Sequence, residues 1–442
     1  MQITLIKPNM GSKRKKAYSP SDNLEPLALA ILASLTPPEH TIRCFDDRIE
    51  EIDYDQPTEL AALTVNTHTA RRAYQIARQF RQRNVPVVMG GVHPTLLPEE
   101  AGLHADAVII GEAENIWPQV LKDAGARALK PYYRALERPN LQGLKPCRNI
   151  YIHKPYLPVS IIEFGRGCPY TCDFCSVAAI FQGKVRYRRI HDVIEEIQES
   201  PHTYILFADD NFYAGKKAAR QLLQAMIPLG KKWMAQIHLE FTRDEDFMKL
   251  MVQSGCIGVF VGLESLNPKN LQQMGKYTSM ARQYKESLAK IRDHGLCLYG
   301  SFLFGYDEDT LETFQETLSF SLKERFFSAA FNHLAPYPGT PLYYRLKAEG
   351  RLLNHSWWND PTFHYHQFSF HPRHLSPEVM ALHCREIRRK FHTFPNIFRR
   401  ALDLKANSRS ISNLMLYLAV NIISRQEVKA KHGLTFGVQH EE

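Results

Sequence analysis

Short apolar runs alternate with longer segments of helical periodicity along the first 110 residues. Residues 2–6, 41–45, 60–65, 85–89 and 107–110 are apolar at strand length, 26–35 is apolar with helical character, and 71–83 is a basic amphipathic helix. This alternation predicts an α/β fold with an open parallel sheet and helices on both faces. Ligands of such sheets bind beyond the carboxyl ends of the strands. Here those ends lead into Pro8-Asn9-Met10, Asn66-Thr67-His68-Thr69, Gly90-Gly91-Val92-His93-Pro94-Thr95 and Gly111-Glu112-Ala113-Glu114.

Periodicity weakens over 125–157, a stretch rich in Pro, Arg and Lys that reads as a linker. The strand rhythm resumes at 160–164, 204–208, 233–241, 259–263, 299–304 and 329–334, six strands separated by helical stretches. Beyond 350 the pattern changes. Trp357, Trp358, Phe363, His364, Tyr365, His366, Phe368 and Phe370 form an aromatic and histidine cluster suited to covering the open end of the second domain and lining a substrate pocket. Residues 414–423 are apolar and are followed by Arg425, Lys429 and Lys431, a pattern shared by a core helix and an interfacial helix beside lipid headgroups. That run is too short to span a bilayer. The chain therefore divides into 1–125, a linker at 126–157, a second domain at 158–350 and a mainly helical region at 351–442.

Composition is that of a globular enzyme: 442 residues, 44% hydrophobic and 23% charged, with a formal charge of +9. Between Arg385 and Lys431 eleven Lys/Arg face three acids, so the basic excess is largely C-terminal. Such a patch suits an acidic substrate, anionic lipid or nucleic acid, or is simply a solvated helix face. Of eight cysteines, Cys44, Cys147, Cys256, Cys297 and Cys384 lie singly, without the spacing of a secreted disulfide scaffold. A reducing cytoplasm is the expected compartment.

The other three sit in Gly165-Arg166-Gly167-Cys168-Pro169-Tyr170-Thr171-Cys172-Asp173-Phe174-Cys175-Ser176. Three thiolates this close can ligate three irons of a [4Fe-4S] cluster and leave the fourth open. A structural zinc site wants four ligands, and no second C-x2-C follows. The C-x3-C-x2-C loop, with an aromatic before its last cysteine and an apolar run leading in, resembles the radical S-adenosylmethionine (SAM) superfamily. In that family SAM chelates the open iron and one electron cleaves it to a 5′-deoxyadenosyl radical. The resemblance implies a six-stranded partial (β/α)6 barrel over 158–350, with Cys168, Cys172 and Cys175 as cluster ligands. The segment Val88 to Thr95, followed by Asp106-Ala107 and Gly111-Glu112, is similar to the Rossmann-like cobalamin-binding domain of one large subgroup. Asn66, Thr67, His68, Gly90, Gly91, Val92, His93, Gly111 and Glu112 are then the expected cobalamin contacts, the paired glycines letting backbone approach the ring. No Asp-x-His-x-x-Gly motif is present in the N-terminal region, so His68 and His93 are expected to contact cobalamin without bonding to cobalt.

Three strand ends carry the expected SAM contacts. Asp209, Asp210 and Asn211 stand where the family binds the SAM amino group, a role carboxylates and carbonyls suit; the same residues also read as an acidic turn capping the helix near Lys216. Gln236 is expected to reach the SAM carboxylate or ribose, with alternation over 233–241 placing it on one face with His238 and Glu240. Glu264 ends an apolar strand, where a carboxylate needs a partner such as a SAM hydroxyl or a neighbouring cation. No catalytic residue is assigned. The resemblance implies cobalamin-dependent methylation of an unactivated carbon in a small molecule, lipid or tetrapyrrole. Oxidative ring formation, as in the anaerobic magnesium-protoporphyrin ester cyclase, is the alternative, and a non-enzymatic cobalamin or SAM sensor is the rival of another class. RNA methylthiotransferases carry a second three-cysteine cluster in the N-terminal domain, which here holds only Cys44 before the linker. A flavodoxin- or ferredoxin-like electron donor is implied, nucleic acid is not, and the C-terminus is the candidate for peripheral membrane contact.

Overall fold

A computed structural model describes residues 1–11, 23–276, 279–431 and 433–438. Six strands, β1 (Gln2–Lys7), β2 (Thr41–Asp46), β3 (Leu60–Thr64), β4 (Val87–Gly90), β5 (Ala107–Ile110) and β6 (Tyr132–Arg134), form one sheet in the order β2-β1-β3-β4-β5-β6. Every pairing is parallel. The inner strands β1, β3, β4 and β5 are short and apolar on both faces because both are covered, and Ile3, Leu5, Leu60, Ala62, Val88, Ala107, Ile109 and Trp117 share one core. The order reverses at β1, so the crevice beyond β1 and β3 is the topological switch point.

The stretch expected to be a linker is folded. Its residues 132–134 add β6 to the sheet edge, and Tyr133, Leu141, Leu144 and Tyr151 are buried. Tyr151 Oη donates to Pro26 O at 2.6 Å and Cys147 N to Ala30 O at 2.9 Å. A three-residue strand among prolines leaves too little periodicity to see.

The second sheet begins with β7 (Val159–Ile162). A small antiparallel hairpin of β8 (Gly165–Arg166) and β9 (Arg186–Tyr187) follows. Then come β10 (Tyr204–Phe207), β11 (Lys232–Gln236), β12 (Cys256–Glu264), β13 (Cys297–Phe304) and β14 (Ser328–His333). The order is β14-β13-β12-β11-β10-β7, parallel throughout, so each βα unit adds a strand beside the last, as in a partial barrel. β11 stops at Gln236, short of the expected 241. Residues Leu239–Arg243 instead form a 3-10 turn that starts on the His238 side chain, which takes His238 and Glu240 out of the strand alternation.

Two compact units emerge, and neither is contiguous in sequence. One comprises Met1–Leu157 with His355–Tyr365 and Lys431–Glu442; the other comprises Pro158–Asn354 and His366–Ala430. The aromatic and histidine cluster expected as a single cover is therefore split, with Trp357, Trp358, Phe363, His364 and Tyr365 packing in the first unit and His366, Phe368 and Phe370 in the second. Helices Pro377–Phe391, Phe394–Ala401 and Ile411–Ala430 complete the second unit. Arg400 is buried among them, donating to Phe326 O, Phe327 O, Phe391 O and Asn421 Oδ1, with its guanidinium 3.7 Å over the Phe391 ring. Among the described residues no helix is long and apolar enough to cross a membrane.

Candidate active site

The cysteine loop leaves the carboxyl end of β7 and is held there by the acidic segment that follows β10. Asp209 Oδ1 and Oδ2 accept the N–H groups of Phe164 and Gly165, both at 2.8 Å, and Asp210 Oδ2 accepts that of Gly167 at 2.8 Å. The turn does not cap the next helix: helix Lys216–Met226 starts at Gly215 with no side-chain cap. Burial pushes the Asp209 carboxyl well up from the usual carboxylate range, against the pull of those N–H donors, and Asp210 shifts up for the same reason. Gly167 has φ +96°, and a Cβ there would lie 2.2 Å from Lys184 O, so only glycine lets the loop close over the β8–β9 hairpin.

Other elements fix the rest of the loop. Asp173 N donates to Met274 O at 3.1 Å, Leu342 N donates to Asp173 O at 3.0 Å, and Tyr306 Oη donates to Asp173 Oδ1 at 2.5 Å. Tyr170 stacks on His238, ring centroids 4.2 Å apart, while its hydroxyl donates to Glu240 Oε2 at 2.9 Å. Asn211 Oδ1 accepts from His238 N at 3.1 Å and Gln236 Nε2 donates to Asp210 O at 3.2 Å, tying the ends of β10 and β11 together. The exposed Gln236 and the half-buried Asp210 thus meet beside the loop.

Burial raises all three thiols, Cys172 to about 11. Lys276 opposes the rise at Cys168 and Cys172, and the N–H groups of Val177 and Ala178 oppose it at Cys175. Among the described residues no three His, Cys, Asp or Glu side chains converge on a single metal point. A [4Fe-4S] cluster does not ask for that, because each thiolate takes a different iron. One buried and two half-buried thiols on one pinned loop, close enough to raise one another, fit that donor set. Lys276 Nζ also donates to Glu264 Oε1 at 2.9 Å and to Gly262 O at 2.7 Å, supplying the cation that the carboxylate at the end of β12 requires. Glu264 has φ +65° at a register shift between β12 and β13, a backbone conformation that a glutamate adopts only where its surroundings impose it.

The first sheet gathers its expected residues at one edge. Asn66 is exposed and Thr67 buried at the end of β3, and Val92 opens the short helix Val92–Leu96 after β4. Thr95 Oγ1 donates to Gly91 O at 2.7 Å and accepts from Gly111 N at 3.0 Å, joining the loops after β4 and β5; half-buried Glu112 follows. Gly91 has φ +108°, and a Cβ there would stand 2.9 Å from Val65 O. Packing inside the fold therefore explains the glycine at 91, whereas Gly90 has ordinary room for a side chain. His93 is wholly buried, with Nε2 2.9 Å from Tyr74 Oη and 3.3 Å from Glu100 Oε1. Trp358 Nε1 and Tyr74 Oη donate to the same Glu100 oxygen. His68 packs edge-on against Trp357, Tyr365 and Phe436, and burial holds its imidazole down to about 4. One histidine is thus engaged in an internal network with Tyr74 and Glu100, and the other packs among aromatic rings.

Sequence reasoning missed Lys276, Tyr170, His238, Glu240 and Tyr306 as supports of the site. Tyr170 lies inside the motif, but nothing in its spacing announces a stack on His238. Lys276 follows a strand end by twelve residues and carries no local signal.

A model of the radical SAM superfamily matches residues 162–321, and one of the B12 binding domain matches residues 32–121. The chain is 30% identical over 388 residues, 85% of this chain and 84% of the other, to bacteriochlorophyllide d C-12(1)-methyltransferase of Chlorobaculum tepidum. It is 32% identical over 353 residues, 75% of this chain and 78% of the other, to bacteriochlorophyllide d C-8(2)-methyltransferase of the same organism. Its fold is similar to that of the cobalamin-dependent S-adenosylmethionine radical enzyme OxsB with aqua-cobalamin bound (TM-score 0.66, 15% identity, covering 97% of this chain and 72% of that one). The chain belongs to the radical SAM superfamily, in its cobalamin-binding, methyltransferase-like branch. It is an enzyme whose cofactors are a [4Fe-4S] cluster, SAM and cobalamin, and its chemistry is cobalamin-dependent methylation.

Proposed function

We propose that the substrate methylated at carbon is a tetrapyrrole or a comparably large, largely apolar small molecule. The similarity to the two bacteriochlorophyllide methyltransferases along three quarters or more of this chain carries that reading. Within the second unit, Cys168, Cys172 and Cys175 hold the cluster. Asp210, Asn211 and Gln236 lie beside the cysteine loop and would receive the polar groups of SAM, and Glu264, oriented by Lys276, would contact its ribose. Asp209 acts by holding the loop, since both its oxygens are taken by backbone. In the first unit, Asn66, Thr67, His68, Gly90, Gly91, Val92, His93, Gly111 and Glu112 form the cobalamin edge, His93 from beneath through its network. Bound together, the cluster and SAM supply hydrogen-atom abstraction, and cobalamin supplies the methyl group. A flavodoxin- or ferredoxin-like protein delivers the electron in a reducing cytoplasm, and the C-terminal region brings the enzyme to the membrane surface. Anaerobic incubation of the reconstituted enzyme with chlorophyllide-type tetrapyrroles and methyl-labelled SAM tests this. A product heavier by one labelled methyl group is expected; a ring-closed product without added carbon would establish the cyclase alternative instead.

A further inference from the structure

The C-terminal helices of the second unit carry a face that the chemistry above does not use. Helix Phe394–Ala401 buries Ile397 and Arg400 and turns Phe394 and Phe398, one helical turn apart, to solvent. Leu402 and Leu404 continue outward at 68% and 75% exposure, and Ile411 and Met415 on the next helix are 81% and 66% exposed. One exposed leucine is ordinary, but six large apolar side chains laid out between 394 and 415 are not. The two helices are neighbours, since Tyr417 Oη donates to Ile397 O at 2.7 Å and the Arg425 guanidinium lies 4.5 Å over the Phe394 ring.

Charge decides what covers this face. Exposed Arg399, Lys405 and Arg409 are interleaved with the apolar side chains. Between 394 and 422 the sole acid is Asp403, which is buried and accepts Lys405 N. Lys405 also reaches Asp293 at the margin, and the adjoining helix Pro377–Phe391 exposes Leu382, Arg385 and Arg389. A second copy of this chain would set these cations against their own duplicates. An anionic surface with an apolar interior satisfies both sets of groups at once.

We propose that this face docks the enzyme peripherally on an anionic lipid bilayer, with Phe394, Phe398, Leu402 and Leu404 in the headgroup–acyl boundary and Arg399 and Arg409 against lipid phosphates. The inference deepens the reading that the enzyme works at a membrane surface on an apolar substrate. Flotation with phosphatidylglycerol/phosphatidylcholine vesicles and with phosphatidylcholine vesicles tests it. The wild type is expected on the anionic vesicles and released by salt. Arg399→Gln and Arg409→Gln should each weaken binding about fivefold, and Phe398→Ser/Leu402→Ser should abolish it, all with unchanged circular dichroism and unchanged SAM cleavage. Equal recovery on both vesicle types, recovery on neither, or a wild-type dimer that Phe398→Ser converts to monomer would each overturn the proposal. Methylation of detergent-dispersed tetrapyrrole is scored separately. Vesicle binding without methylation would remove the substrate reading and leave the docking face standing; methylation without vesicle binding would do the reverse.

Discussion

Asp209 and Asp210 show how much of a radical site consists of supports. Their acidity was legible as a strand-end signature, but the three hydrogen bonds that join them to the cysteine loop were not. Asp209→Ala would leave the buried N–H groups of Phe164 and Gly165 without acceptors, at about 1–3 kcal/mol each. The variant should therefore lose iron on reconstitution, while Asp209→Asn, which keeps an acceptor, should retain part of it; iron content measured alongside thermal melting checks both. Asp210→Ala should weaken SAM binding by about one to two decades and, through Gly167, also lower cluster occupancy. SAM titration of the fraction that still holds iron separates the two effects. By contrast, Cys168→Ala, Cys172→Ala or Cys175→Ala should abolish 5′-deoxyadenosine formation outright, and Cys256→Ala, buried behind the sheet core, should not.

Elements were legible where their apolar periodicity was long and lost where tertiary contact replaced it. The parallel strands of both sheets stood out because each buries an apolar face, and in β1, β3 and β5 nearly every position, and the carboxyl-end loops followed from them. The β6 strand and the 3-10 turn Leu239–Arg243 were invisible, being three and five residues long and set by neighbours. So was the return of the C-terminal segment to the first sheet. Gly437 N donates to Met10 O at 2.9 Å, the Gln75 side chain exchanges hydrogen bonds with Val438 N and O, and Phe436 packs on His68. That segment lies across the loop after β1 and the helix after β3, the two sides of the switch point. A Cβ on Gly11 would come 1.9 Å from Thr435 O. Gly11→Val should dislodge the segment and reduce cobalamin retention without changing iron content. Gly91→Val faces a positive φ as well as Val65 O and should cost about 2–4 kcal/mol, with the same separation of cobalamin from iron in absorbance and metal analysis.

At the scale of the whole molecule the two units differ in how acid acts on them. In the first, burial holds the imidazoles of His68, at about 4, and His104 below their ordinary range. A base whose folded pKa is depressed contributes stability above the unfolded value near 6.5 and loses it as pH falls, because the unfolded chain takes up the proton first. The second unit has two such groups, His238 and His392, both at about 4, but it also buries Asp309, pushed up to about 7, and Asp209. A carboxyl raised on folding acts in the opposite direction: between its unfolded value and its folded one the native state holds the proton, so acidification favours folding. Moving from pH 7 to pH 5 should therefore destabilise the first unit more than the second. Three of the four tryptophans, Trp117, Trp357 and Trp358, are buried in the first unit, so fluorescence reports chiefly on it, and a Trp233→Phe variant removes the second unit's contribution. In that variant the urea midpoint by fluorescence should drop between pH 7 and pH 5 by more than the midpoint for β10–β14 amides, read by pulsed hydrogen exchange at a common labelling pH. Equal drops would mean that the two units unfold as one body, or that Asp309 and Asp209 do not hold their protons.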